Sequence, residues 1–264
     1  MDDNLISHTD SKVVSSVINR IENEFEKMTV TTGPKHTFLG MNIEFKPNGT
    51  TEIDTIPYIR EALVEFGEKL FSRPPTPAGE NILKNDCSST RLDNNRAEIF
   101  HSIAAKILWI IPRIRPDISF PISFLCSRVG CSTEEDWAKL NRLLTYLNAT
   151  IHEKRILGGN NLGALSTWVD ASYAIHADYK RHTGGVMSFG IGAVHCKSTK
   201  QKINTKSSTE SKIVRVSEYL PYNIWMEIFL KELGYKLTSK KLHQDNKSAI
   251  RMEKNGKRHS LYFH

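Results

Sequence analysis

Between Ser166 and Lys254 the chain switches hydrophobic period in a fixed order, and that order limits the folds open to it. Ser166-Thr-Trp-Val-Asp170 is a short apolar strand ending in an acid. Thr183-Gly-Gly-Val-Met-Ser-Phe189 and Ala193-Val-His-Cys-Lys197 read as two further strands joined by a Gly-rich turn. Ser207-Ser-Thr-Glu210 then starts a helix to about residue 233. Leu237 to Gln244 is a strand, and Asp245 to about Lys254 a short helix. Three consecutive strands, then helix, strand and helix, match the order of a mixed sheet with flanking helices, an α/β (α+β) arrangement.

Upstream the periods are different. Val13, Val14, Val17, Ile18, Ile21 and Phe25 recur at helical spacing over 11–28, with Asp10 as N-cap. Thr37 to Phe45 reads as one strand, Pro47-Asn48-Gly49 as a turn, and Thr50 to Ile56 as the returning strand of a hairpin. Residues 57–71 are helical, with Ile59, Ala62, Leu63 and Phe66 on one face. Residues 72–96 are rich in Pro, Ser, Asn and Asp and read as a loosely packed linker beginning at Arg73-Pro-Pro-Thr-Pro77. Helices follow at 97–111 and 117–128, separated by Pro112 and Pro116. A third opens at Ser132 or Thr133 with acids in its first turn and runs to about Tyr146 or Leu147. Gly158-Gly159-Asn160-Asn161 marks a second boundary.

Composition narrows the function. The 264 residues carry a formal net charge of +7, so an acidic partner such as nucleic acid is consistent with the chain. Cys87, Cys126, Cys131 and Cys196 form no Cys-x-x-Cys pair, which argues against a zinc ribbon or redox motif and fits a reducing, intracellular compartment, cytoplasmic or nuclear. No apolar run reaches the roughly 18 residues that a membrane span needs. The acidic start Met1-Asp-Asp-Asn4 does not read as a signal peptide. His176, His182 and His195 have no standard metal-site spacing and read as surface or strand residues.

Four segments in order carry a more specific signal. Trp168-Val-Asp-Ala-Ser-Tyr-Ala-Ile-His176, Arg181-His-Thr-Gly-Gly-Val186, Lys197-Ser-Thr-Lys-Gln-Lys202 with Ser207-Ser-Thr-Glu210, and Gln244-Asp-Asn-Lys-Ser-Ala-Ile250 resemble the successive motifs of RNase H domains in copia-type LTR retrotransposon Pol polyproteins. Lys35-His-Thr-Phe-Leu-Gly-Met-Asn-Ile-Glu-Phe45 resembles the primer-grip hairpin of the polymerase. Met1-Asp-Asp-Asn-Leu-Ile-Ser-His8 is similar to its paired-aspartate turn, with Asp2 and Asp3 matching the metal ligands. Phe100-His-Ser-Ile-Ala-Ala-Lys106, Arg113-Ile-Arg-Pro-Asp117 and Leu143-Leu-Thr-Tyr-Leu147 resemble the helical segment that follows. The resemblance covers almost the whole chain. It implies a reverse-transcriptase palm remnant at 1–72, a linker at 73–96, a helical thumb- or connection-like segment at 97–160 and an RNase H-like domain at 161–264, truncated at its C-terminus, with a mixed five-stranded sheet.

RNase H chemistry uses a cluster of carboxylates holding two Mg²⁺ ions, one activating water and one stabilising the leaving oxygen. The resemblance assigns Asp170 as the first acid and Asp245 as the third. Where the family has its second acid, this chain has Lys212, with Glu210 two residues earlier and turned about 200° away on an ideal helix. A fourth acid has no counterpart in Lys254 to His264. Mg²⁺ is therefore an implied cofactor whose binding is expected to be impaired. The segments before the paired-aspartate turn in the family, with the nucleotide site and first palm acid, have no counterpart either, so DNA synthesis by this chain alone is not expected. For an RNA–DNA hybrid or other nucleic acid, the candidate contacts are Lys197, Lys200, Lys202, Lys206, Ser207, Ser208 and Asn246.

Three functions follow from this reading. The first is an inactive Pol-derived chain that retains the fold and weak hybrid binding. The second is an active hybrid nuclease in which Glu210 or Glu218 rescues the metal site, although Glu218 lies two turns further along the helix. The third is a non-enzymatic nucleic-acid-binding protein with a new host role. The orientation of Lys212 relative to Asp170 and Asp245 separates the first two.

Overall fold

The computed structural model describes residues 3–84, 88–159, 162–172, 182–200, 208–248 and 250–251. Its helices are α1 (Ser11–Glu24), α2 (Ile56–Phe66), α3 (Asn94–Ile110), α4 (Ser119–Cys126), α5 (Glu134–Ala149) and α6 (Ser208–Glu232). Its strands are β1 (Lys35–Phe38), β2 (Met41–Phe45), β3 (Thr51–Asp54), β4 (Arg155–Gly159), β5 (Ala164–Ser172), β6 (His182–Ser188), β7 (Gly190–Ile191), β8 (His195–Lys200) and β9 (Ser239–His243). They form two sheets, in the orders β1-β2-β3-β4-β7 and β8-β6-β5-β9, so the chain is a mixed α+β protein.

The single strand read over 37–45 is instead a hairpin. Phe38 pairs with Met41, leaving Leu39 and Gly40 to make the turn, and both have positive φ, 48° and 73°. A two-residue turn of that handedness matches the twist of the strands it joins. Gly40 enters the left-handed region freely, whereas Leu39 carries a Cβ that opposes it. An apolar residue at a turn position hid the break. The next hairpin, β2 to β3, follows the sequence reading, with the Asn48 carboxamide oxygen accepting from the Thr50 amide at 3.0 Å.

The helices start where their caps dictate. The Asp10 carboxylate accepts from the Lys12 amide at 2.9 Å to open α1. Thr133 and Asp136 cap α5 reciprocally, beneath Glu134 and Glu135 in its first turn. α2 stops at Phe66, short of the expected 71, because Gly67 turns left-handed at φ 71°. Phe100, Ile103, Ile107, Ile122, Leu125, Leu140, Leu143 and Leu147 are buried together between α3, α4 and α5.

The segment expected to be a loose linker is pinned where it is described. Ile82 and Leu92 sit in the helical core. The Leu92 amide donates to the Ser132 carbonyl at 3.0 Å, and the Glu134 amide donates to that of Thr90 at 2.9 Å. Arg142 on α5 reaches the Thr76 hydroxyl at 3.1 Å. Proline content had signalled irregular backbone correctly, but irregular backbone that buries two aliphatic side chains is not free.

The Arg113-Ile-Arg-Pro-Asp117 motif has a packing role. Arg115 is buried and forks onto the Asp117 carboxylate at 3.0 and 2.8 Å, while the Tyr146 hydroxyl donates to the same carboxylate at 3.0 Å. Buried Arg155 on β4 donates to the carbonyls of Pro112, Arg113 and Ala193, tying the helices to the β7–β8 turn.

The second sheet has four strands among the described residues, where five were expected. β6 lies between β5 and β8, antiparallel to both, and β5 pairs with β9 in parallel. A parallel neighbour demands a crossover, and α6 supplies it. Along β5, Leu165, Thr167 and Val169 are buried against α6, while Trp168 and Asp170 are exposed on alternate positions. α6 answers with Arg215, Tyr219, Met226 and Leu230, a stripe at helical spacing.

Candidate functional site

Lys212 begins that stripe, one turn before Arg215, so the helical period turns its side chain toward the sheet. Its side chain is only 13% exposed. The ammonium lies 3.5 Å from Asp170 Oδ1 and donates a hydrogen bond to Asp245 Oδ1. Asp170 is near the end of β5, and Asp245 follows the end of the adjacent strand β9. Parallel pairing brings the two strand ends together: Trp168 pairs with His243, and their rings stack at 5.0 Å with planes 10° apart. The Gln244 side chain donates to the Lys212 carbonyl at 3.2 Å, fixing the helix start against the loop.

The electrostatics follow the geometry. Burial pulls the Lys212 ammonium down, but the hydrogen bond to Asp245 and the charge of Asp170 outweigh it and hold its pKa above the usual lysine value. The same hydrogen bond holds the Asp245 carboxyl below the usual range, against a smaller burial effect and helped by backbone amides at 245 and 246. Arg215 is 2% exposed, and burial pushes its guanidinium down to about 10, opposed by the charges of Glu218, Tyr219 and Asp170.

A cleft of about 590 Å³ opens beside the two acids. Trp168, Val186, Cys196 and His243 give it an apolar floor, and Pro116 and Ser119 close it from the helical side. A divalent cation between Asp170 and Asp245 does not fit this arrangement. Hard cations take oxygen ligands, and the neighbour these two carboxylates share is an ammonium. Among the described residues no group of three or more His, Cys, Asp and Glu is placed to hold a metal.

The other sequence candidates are scattered. Glu210 and Glu218 are exposed on α6. Lys197 donates to the Tyr222 hydroxyl at 2.6 Å and lies 4.9 Å over the Tyr222 ring. His195 meets the Tyr219 hydroxyl at 2.7 Å. Asn246 is half-buried and its carbonyl accepts from the Ile250 amide at 3.0 Å. Asp3 is exposed in irregular chain, and Ser208 opens α6. Asp2, His176, Lys202, Lys206 and Ser207, and the side chains of His182 and Lys200, lie outside the described residues. Sequence reasoning missed Arg215 and Tyr219, and quoted Gly185 only within the Arg181-to-Val186 segment. The signal was there, since 215 and 219 continue the spacing from 212 to 226 and 230.

Fold and site together define a two-sheet α+β protein with a carboxylate–ammonium cluster at one sheet end. No protein-family model matches the chain. It is 26% identical over 270 aligned residues, all of this chain, to the retrovirus-related Pol polyprotein from transposon TNT 1-94 of Nicotiana tabacum. It is 27% identical over 240 residues, 90% of this chain, to the corresponding polyprotein from transposon RE1 of Arabidopsis thaliana. An uncharacterized mitochondrial protein of Arabidopsis thaliana is 25% identical over 80% of this chain and 85% of its own length. The chain is thus a relative of the Pol polyproteins of copia-type retrotransposons, and it spans 20% of the tobacco polyprotein and 16% of RE1. No helix among the described residues is long and apolar enough to cross a membrane.

Proposed function

We propose that this chain is a reverse transcriptase/RNase H relative whose RNase H-like half contacts nucleic acid without cutting it. The observation that carries the reading is the Lys212 ammonium shared between Asp170 and Asp245. The mixed sheet, its parallel β5–β9 pair and the crossover by α6 support an RNase H-like domain. The two hairpins of β1 to β3 support a palm origin for the N-terminal part. Hydrolysis in such a site needs metal ions to activate water and take up charge on the leaving oxygen. Losing a ligand to them removes several kcal/mol of stabilisation, several powers of ten in rate. An active nuclease using Glu210 is disfavoured, because Glu210 is exposed off the stripe that carries Lys212. Binding relies on the net charge of +7 and weakens with salt as counterions are released.

The test is to incubate the full chain with Mg²⁺ and a labelled RNA–DNA hybrid. We expect salt-sensitive retention of the intact hybrid. Cleavage that disappears in Asp170→Asn would overturn the non-cutting reading, and absence of retention even at low salt would overturn the binding one.

A further inference from the structure

We infer that Arg215 is a second built-in cation of this site, and that Arg215 and Lys212 together exclude a divalent metal. The inference rests on the reading of Asp170 and Asp245 as acids of a former metal site. Arg215 lies one turn beyond Lys212 on the same stripe of α6, so both cations approach the sheet from one side. A Cβ built on Gly184 would lie 3.9 Å from Arg215 Nη2, and Gly184 is the cross-strand partner of Asp170. The guanidinium is therefore wedged beneath the strand pair that carries the first acid. Its Nε and Nη2 are buried without a hydrogen-bond partner among the described residues. Among the described residues neither nitrogen makes an ion pair, and the charges that act on the group are those of Glu218, Tyr219 and Asp170. At neutral pH the guanidinium stays charged, since burial lowers its pKa only to about 10.

Lys212 thus touches both carboxylates, and Arg215, buried beside Gly184, adds a second positive charge close to the strand pair that carries Asp170, one it shares with Glu218. A divalent ion entering the site would meet the repulsion of Arg215 even if Lys212 were gone: the two carboxylates are exposed, but the guanidinium is buried, so its own charge is screened less than a surface cation's. Restoring an acid at position 212 is not enough by itself. The second cation must also go.

The experiment compares the full chain, Lys212→Glu, Arg215→Met and the double variant in calorimetric titrations with MgCl₂, with circular dichroism to confirm folding. Met keeps most of the buried volume and leaves no unpaired charge. We expect no saturable binding by the unaltered chain or by Arg215→Met, weak binding by Lys212→Glu, and binding about tenfold tighter or more by the double variant. If the double variant and Lys212→Glu bind alike, Arg215 is not a barrier, although the metal-site reading stands. If neither binds Mg²⁺, the reading of these acids as a former metal site fails, and the inference with it.

Discussion

Replacing Gly185 by Ala should unseat α6 from the second sheet. A Cβ there would lie 2.2, 2.4 and 2.8 Å from Cε2, Cδ2 and Cζ of Tyr219, where ordinary contact begins near 3.4 Å. Neither side can yield cheaply. β6 is hydrogen-bonded on both edges, and the Tyr219 ring is 1% exposed with its hydroxyl on His195. Overpacking of this kind costs about 3 kcal/mol, the upper part of its usual range. For a chain of this size that lowers Tm by roughly 6–12 °C. Far-UV circular dichroism during thermal and urea unfolding reads the loss directly. The cause is isolated by repeating Gly185→Ala in a Tyr219→Ala background. Tyr219→Ala alone costs about 4 kcal/mol through the cavity it leaves. With the ring gone, the added methyl should cost less than about 1 kcal/mol, so the two changes couple by at least about 2 kcal/mol. Equal costs in both backgrounds would refute the packing argument, and with it the fixed approach of α6 that aims Lys212 and Arg215 at the strand ends.

Two pH effects follow. His195 is held below its ordinary value of 6.5, first by burial and then by the charges of Lys197 and Arg155. The unfolded chain therefore takes up this proton first, so the contribution of His195 is intact above pH 6.5 and is lost as pH falls through its lower folded value. His195→Gln should flatten the fall in urea midpoint below pH 6.5, and an unchanged slope would exclude the residue as its source. Lys212→Met should let the Asp245 carboxyl rise toward its ordinary 3.8, followed by carbon-detected NMR. In the unaltered chain the contribution of the pair is full between about pH 4 and 10.5. It is lost as pH falls through the depressed Asp245 value or rises through the elevated Lys212 value. A carboxyl that titrates identically in both proteins would mean that Lys212 does not bond it.

Much of the fold was legible because period and punctuation agreed. The strand–strand–strand–helix–strand order over 166–244, the caps at Asp10 and Thr133, and the hairpin turned by Asn48-Gly49 all emerged from local chemistry. The turn at Leu39-Gly40 did not, because its first residue is apolar and its strain is met by tertiary pairing. Over 72–96 composition reports irregular backbone and not which side chains are buried, so it does not show that Ile82 and Leu92 enter the core. At the site, family spacing singled out Asp170, Asp245 and Lys212, and the fold groups the three at one sheet end. Arg215 escaped because a charged residue in a helix reads as solvent-facing until the stripe beside it is traced.

The most direct measurement is anomalous diffraction from crystals of the full chain soaked in Mn²⁺. The expected map has no anomalous peak between Asp170 and Asp245, with Lys212 Nζ in density against both carboxylates. A Mn²⁺ peak bridging the two acids, with Lys212 swung out to solvent, would contradict it.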